Sequence, residues 1–152
     1  MSPGTSTPYD ADLASQSNLL LGFDPGRQKC GLAVMSVEHL LHCHQVVLSD
    51  QVISTINQWL TTYPISLVVM GNQTTAAEWQ QTLRDSLDQS LPIVQVDERY
   101  SSLEARDRYW KMYPPQGLTQ WIPRGMRTPE RPIDDIVAIL LIERYLQRSS
   151  EG

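Results

Sequence analysis

Apolar residues along this chain come in short runs separated by turn-forming residues, and the runs have two different periods. Leu19 to Asp24, Cys30 to Ser36 and Leu40 to Leu48 have strand length and short links, the first two joined through Pro25-Gly26, so they predict an antiparallel meander. After Ser49-Asp50 the spacing changes. Val52, Ile56, Trp59, Leu60 and Tyr63 recur as on a helix face, and Pro64 stops that helix before a fourth strand, Ile65 to Met70. Gly71 opens a turn. Thr75-Ala-Ala-Glu78 has the capping-box pattern, and Trp79, Leu83 and Leu87 form the apolar stripe of the helix it starts. Pro92 to Val96 reads as a fifth strand. Ser101-Ser-Leu-Glu104 is a second capping box, opening a helix that must finish before Pro114-Pro115. A Pro-rich and Gly-rich connection over 113 to 131 leads to Pro132, which suits the first turn of a last helix. The stretch Ile136 to Ile142 of that helix is apolar on nearly every face and predicts burial.

The order βββαβαβαα predicts an α/β fold with one five-stranded mixed sheet flanked by helices. It also gathers acids. Asp24 closes the first strand, Asp97 and Glu98 close the fifth, and Asp134 and Asp135 open the last helix. With the first and fifth strands parallel, their carboxyl ends share the sheet edge where ligands usually bind in such folds. Each acid also has a plain structural role available: a turn at Asp24, a strand end at Asp97-Glu98, and complementing the helix macrodipole at Asp134-Asp135. The three places taken together favour a site.

The chain of 152 residues, 41% hydrophobic, is long enough for one domain with a real core. Residues 1–18, rich in Ser, Pro, Thr and Asp without periodicity, are expected to be a disordered tail before a domain over 19–148. No run approaches the roughly 20 apolar residues of a membrane span, and no signal-peptide pattern opens the chain, so a cytoplasmic protein is expected. Cys30 and Cys43 lack metal-type spacing and read as reduced thiols. His39, His42 and His44 flank Cys43, but on a strand His42 and His44 share one face and Cys43 the other, and no second ligand cluster appears.

The net charge of −5 excludes a general polyanion binder, yet its distribution is uneven. Residues 1–98 carry −7, residues 99–131 carry +4 and the remainder −2; ten of the twelve basic residues are Arg. A local basic surface suited to bidentate phosphate contact therefore sits beside an acidic body, although a solvated helix face has the same composition. Trp121 lies among Arg124, Arg127 and Arg131. It is placed either to stack on a base or to anchor the loop, and packing is the expectation for a lone Trp.

Three motifs in order resemble the YqgF/RuvX family of RNase H-like nucleases, in its cyanobacterial branch. They are Gly22-x-Asp24-x-Gly26 followed by Lys29, Gly31 and Ala33; Asp97-Glu98-Arg99 followed by Ser101-Ser102; and Ile133-Asp134-Asp135-Ile136-Val137-Ala138. The resemblance covers about residues 19 to 147 and implies an RNase H-like, RuvC-like fold. It implies relatedness to RuvC Holliday-junction resolvases and a part in pre-16S rRNA processing. The chain departs from the family at Lys29, where Arg is usual, at Met35-Ser36, where Ser-Asp is usual, and at Gly71-Asn72-Gln73, where Gly-Leu-Pro is usual.

What the resemblance implies chemically is phosphodiester hydrolysis assisted by Mg²⁺ or Mn²⁺, with structured nucleic acid as substrate and RNA favoured over branched DNA. Hard cations take oxygen ligands, which suits carboxylates. The implied ligand set is Asp24, Glu98 and Asp134, with Asp97 and Asp135 in reserve. Lys29 and Arg99 are implied as phosphate contacts, with Arg124, Arg127, Arg131 and Trp121 as further nucleic-acid contacts. Junction cleavage would call for a symmetric dimer. Two other classes stay open at this point. One is a binding domain of the same fold that does not cut. The other is a nucleotide-binding ATPase, whose Asp-x-Gly opening is similar but which needs two such domains.

Overall fold

The structure, a computed structural model, describes residues 19–73, 75–129 and 131–151; the side chains of Arg124 and of residues 149–151 are not among those described. The expected tail over residues 1–18 lies outside the described residues. Five strands, β1 (Leu19–Asp24), β2 (Lys29–Ser36), β3 (Leu41–Leu48), β4 (Ile65–Gly71) and β5 (Ile93–Val96), form one sheet in the order β3-β2-β1-β4-β5. The first three pair antiparallel, whereas β1–β4 and β4–β5 pair parallel. The carboxyl ends of β1, β4 and β5 therefore lie along one edge. Helices α1 (Val52–Thr62), α2 (Ala76–Ser86), α3 (Ser101–Met112) and α4 (Asp134–Glu151) cover the faces.

Side-chain alternation along β1 splits the core in two. Leu19, Leu21 and Phe23 join Val52, Ile56 and Leu60 of α1 and Leu83 of α2, and the Phe23 ring meets Trp79 edge-on at 5.1 Å. Leu20 points the other way and packs with Ala33, Met35, Ala138, Ile139 and Ile142. Each large side chain buried in these clusters contributes about 1.5–3 kcal/mol. Asp24 has the same parity as Leu20, so its carboxyl group faces α4. The residue before a proline is held extended, which keeps this alternation intact to the end of the strand.

All of Ile136 to Ile142 is buried because α3 covers the side of α4 turned away from the sheet. Val137, Leu140 and Leu141 share a cluster with Ala105, Tyr109 and Trp110. Arg108 forks onto Glu143 at 3.1 and 2.8 Å, and Arg144 reaches Glu104 at 2.9 Å.

Both predicted capping boxes fail. Thr75 sits at φ −85°, ψ 1°, away from the extended backbone from which a capping hydroxyl reaches the first turn, and makes no capping hydrogen bond. At α3 the cap is Tyr100, left-handed at φ 63°; Ser101 is already helical, and Glu104 is spent on Arg144. Leu40 lies outside β3, in a turn where Ser36 N–H donates to the Leu40 carbonyl at 2.9 Å. Gly71, expected to open a turn, is the last residue of β4.

Candidate active site

Asp24 is 7% exposed on the central strand, opposite Gly31 of β2 in register. The turn that follows it is pinned. Ser49 Oγ donates to the carbonyls of Gly26 and Arg27 at 3.1 and 2.8 Å, and Gly26 N–H donates to the Cys30 thiol sulfur at 3.3 Å. Cys30 is buried and Cys43 half-buried, both free.

Two glycines on the flanking strands make room for the other acids. A side chain on Gly31 would collide with the Asp134 carbonyl and stand 2.6 Å from Asp135 N, so only glycine lets the start of α4 sit down on β2. A side chain on Gly71, at the end of β4, would occupy the place of the Glu98 carboxylate. Strand β1 thus presents Asp24 between two gaps, one closed by the first turn of α4 and the other by Glu98 after β5.

Asp24 feels the other two acids. Burial first, then the charges of Glu98 and Asp134, push Asp24 up to about 8. Burial likewise raises Glu98, opposed mainly by hydrogen bonding from Gln73, and raises Asp134, opposed by its own backbone N–H and, more weakly, by Lys29 and Arg131. Gln73 Nε2 donates to Glu98 Oε1, while Glu98 Oε2 is buried without a hydrogen-bond partner. No three His, Cys, Asp or Glu side chains among the described residues already form a ligating constellation. The donor set nevertheless fits a hard divalent cation: oxygen atoms only, one of them buried and unpartnered, and a concentration of negative charge that a cation would relieve.

A folded-state pKa raised above the unfolded value means that the folded chain holds protons the unfolded chain has lost. Stability is therefore greatest at acidic pH and falls as pH rises through about 8. Thermal melts in EDTA should show the metal-free chain losing several degrees between pH 5 and pH 8.5, with added Mn²⁺ restoring them. A flat profile would contradict the coupling.

The reserve acids are engaged elsewhere. Asp97 accepts the Arg99 N–H at 2.9 Å and its side chain is largely exposed. Asp135 is fully buried: Oδ2 takes His44 Nδ1 at 2.6 Å and Arg131 Nη2 at 2.7 Å, and Oδ1 takes Ile136 N–H at 2.9 Å. Lys29 and Arg99 are exposed at the same edge.

Arg127 is drawn into the loop, donating to the carbonyls of Ile122 and Gln120 and lying 5.8 Å over the Trp110 ring. Trp121, expected to pack, is 79% exposed; Trp110 on α3 is the buried indole under this loop. The Arg124 side chain lies outside the described residues. The sequence reading gave Gln73 no role beside Glu98, tied His44 to no acid, and did not foresee that Gly31 and Gly71 make room for Asp134 and Glu98. Gly31 was marked as a motif glycine, and Gly71 and Gln73 only as part of a departure from the family pattern.

A family model described as RuvX: Holliday junction resolvase matches residues 18–148. Proteins named "Putative pre-16S rRNA nuclease" from several strains of Coxiella burnetii are 24% identical over 148 residues, covering 89% of this chain and 96% of theirs. Among solved structures, Thermus thermophilus RuvC is similar at a TM-score of 0.53 and 15% identity, over 87% of this chain and 96% of that one. The same organism's RuvC in complex with a Holliday junction substrate gives 0.51 and 16%, over 86% and 95%. These two likenesses establish the RNase H-like fold.

Proposed function

The chain belongs to the RuvX family, and on that premise we propose that it is a divalent-metal-dependent endonuclease acting on structured nucleic acid, with the precursor of 16S rRNA as its substrate. The observation that carries this reading is the convergence of Asp24, Glu98 and Asp134 from three separate elements onto one edge of the sheet, where the charges of Glu98 and Asp134 add to burial in raising the proton affinity of Asp24. Two glycines there leave space that a Cβ would fill.

Asp24, Glu98 and Asp134 would hold the cation. A bound Mg²⁺ or Mn²⁺ would supply Lewis acidity toward a phosphoryl oxygen and lower the pKa of water. Burial around Asp24 keeps the local dielectric low, so charges there act more strongly than they would in bulk water. In the metal-free chain the Asp24 carboxyl holds its proton at neutral pH and must release it for the carboxylate to act as a ligand. Lys29, at the start of β2, places a positive charge near Asp134, and Arg99 projects into solvent beside Glu98, where each meets a substrate phosphate. Exposed Trp121 offers an open ring face for an unpaired base.

The second reading, a four-way DNA junction, follows from the family's description and from the RuvC complex. It requires a second copy of the chain, because a two-fold substrate needs two sites. The test is to offer wild type a pre-16S rRNA end fragment, single-stranded RNA and a DNA four-way junction, each with Mn²⁺ or with EDTA. The expected result is cutting of the rRNA fragment in Mn²⁺ alone. Preferential cutting of the junction would select the resolvase, and binding without cutting of any substrate would overturn the nuclease.

A further inference from the structure

Beside the three acids, on the edge-strand side of the sheet, lies a groove of about 460 Å³ lined by Lys29, His44, Gln45, Gln51 and Arg131, with the backbone of β3 as its floor. Its polar side chains are cationic or neutral, and among the described residues no carboxylate lines it. Of the described acids near it, Asp134 belongs to the carboxylate site, and Asp135 is buried beneath and fully occupied by His44, Arg131 and the Ile136 N–H. Asp135 therefore holds two donors in place without presenting negative charge to the groove. His44 Nδ1 is committed to Asp135, which leaves Nε2 as its second polar atom. Arg131 spends Nη2 on Asp135 and lies over the Tyr113 ring, while its Nη1 is buried with no hydrogen-bond partner. An unpartnered buried guanidinium N–H is costly unless something accepts it.

We propose that this groove is a phosphate subsite, holding a backbone phosphate of the substrate strand next to the one being cut. The proposal rests on the nuclease reading and adds to it a binding position and its residues. A guanidinium fork and an ammonium matched to a phosphate, with carboxamides and an imidazole completing the wall, form a recurrent solution for a tetrahedral anion. The geometry ties the groove to the chemistry, because Lys29 and Arg131 both act on the charge of Asp134, and Arg131 is held by the residue that follows it. A strand passing from the acids into the groove crosses β2 toward β3, a free edge. The subsite accounts for Asp135 as the anchor of His44 and Arg131 and gives it no ligand role.

Removing Arg131 risks the fold, since buried Asp135 would lose a partner, so the test uses Gln51. Gln51 lies on the groove wall and its side chain makes no described hydrogen bond. Gln51→Glu should raise KM for Mn²⁺-dependent cleavage about five- to tenfold with kcat retained, and Gln51→Lys should lower KM; one unit charge a few ångströms from a phosphate is worth that much. Independently of any cleavage, titrating the full chain with inorganic phosphate should shift the NMR signals of the His44 ring and the Arg131 guanidinium saturably, and less so in Gln51→Glu. If the wild type cuts but KM is the same in both variants, or if phosphate leaves those signals unmoved, the subsite is wrong and the nuclease stands. Saturable phosphate shifts in a chain that cuts nothing would keep the anion site and remove the nuclease.

Discussion

Asp24→Asn should abolish metal-dependent cleavage and make the metal-free protein more stable. Changing groups that merely orient metal ligands costs about 10–100-fold in affinity or activity, so losing a carboxylate proposed to hold the ion directly should cost more than about 100-fold. The gain in stability has the opposite sign for the same reason. Asp24 is buried beside two other acids, and folding raises its carboxyl from 3.8 to about 8. At pH 7 the unfolded chain gains from ionising this group and the folded chain does not. Each pKa unit is worth about 1.4 kcal/mol, so the difference is on the order of 4 kcal/mol, which Asn does not incur. For a domain of this size that is a rise of roughly 10 °C in Tm. Scanning fluorimetry of both proteins in EDTA at pH 7, with parallel cleavage assays in Mn²⁺, measures both effects. A mutant that is inactive but no more stable would mean that burial and the neighbouring acids do not raise the Asp24 carboxyl as described.

Gly31→Ala should damage fold and site together. The added methyl group meets the Asp134 carbonyl and Asp135 N, which are backbone atoms, and backbone does not yield as a flexible side chain does. The first turn of α4 must lift from β2, at a cost of about 3 kcal/mol and roughly 6–12 °C in Tm. Lifting it carries Asp134 away from Asp24, and a displacement of about 1 Å costs on the order of 100-fold in rate. Gly125→Ala, where an added Cβ meets nothing within 4 Å, is the matched control and should change neither quantity. Denaturation midpoints and cleavage rates for the two variants test this directly. Equal behaviour would show that α4 does not depend on Gly31 for its seat.

Much of the scaffold is written in local pattern. The period of two along Leu19 to Asp24 places Asp24 on the face opposite Phe23, and the unbroken apolar run Ile136 to Ile142 marks a helix covered on both sides. That Asp24, Asp97-Glu98 and Asp134-Asp135 share one edge was expected from strand order and from which ends are parallel; the choice of Glu98 and Asp134 among them came from the family resemblance. What stayed hidden depends on partners distant in sequence. Asp134 and Asp135 are adjacent on a helix and point in different directions; which one faces the acids is decided by His44, 91 residues from Asp135, and by the seat on Gly31. Gln73 is invisible as a support for Glu98 until β4 and β5 are paired. The second capping box failed because its positions are used otherwise: Tyr100, left-handed, takes the cap position before the already helical Ser101, and Glu104 is taken by Arg144. Trp121 is exposed where packing was expected because Trp110 of α3, rather than the loop, supplies the packed indole.

On the proposed function, three carboxylates at the edge of the sheet form one cation site whose ligands are partly protonated when it is empty. The most direct measurement is calorimetric titration of Mn²⁺ into the full chain at pH 7, in two buffers of different ionisation enthalpy, for wild type and Asp24→Asn. Wild type should bind saturably with release of about one proton per ion, as Asp24 passes from carboxylic acid to ligand, and the mutant should lose both signals. Equal Mn²⁺ binding by the two proteins, or binding without proton release, would mean that Asp24 is not a ligand of such a site.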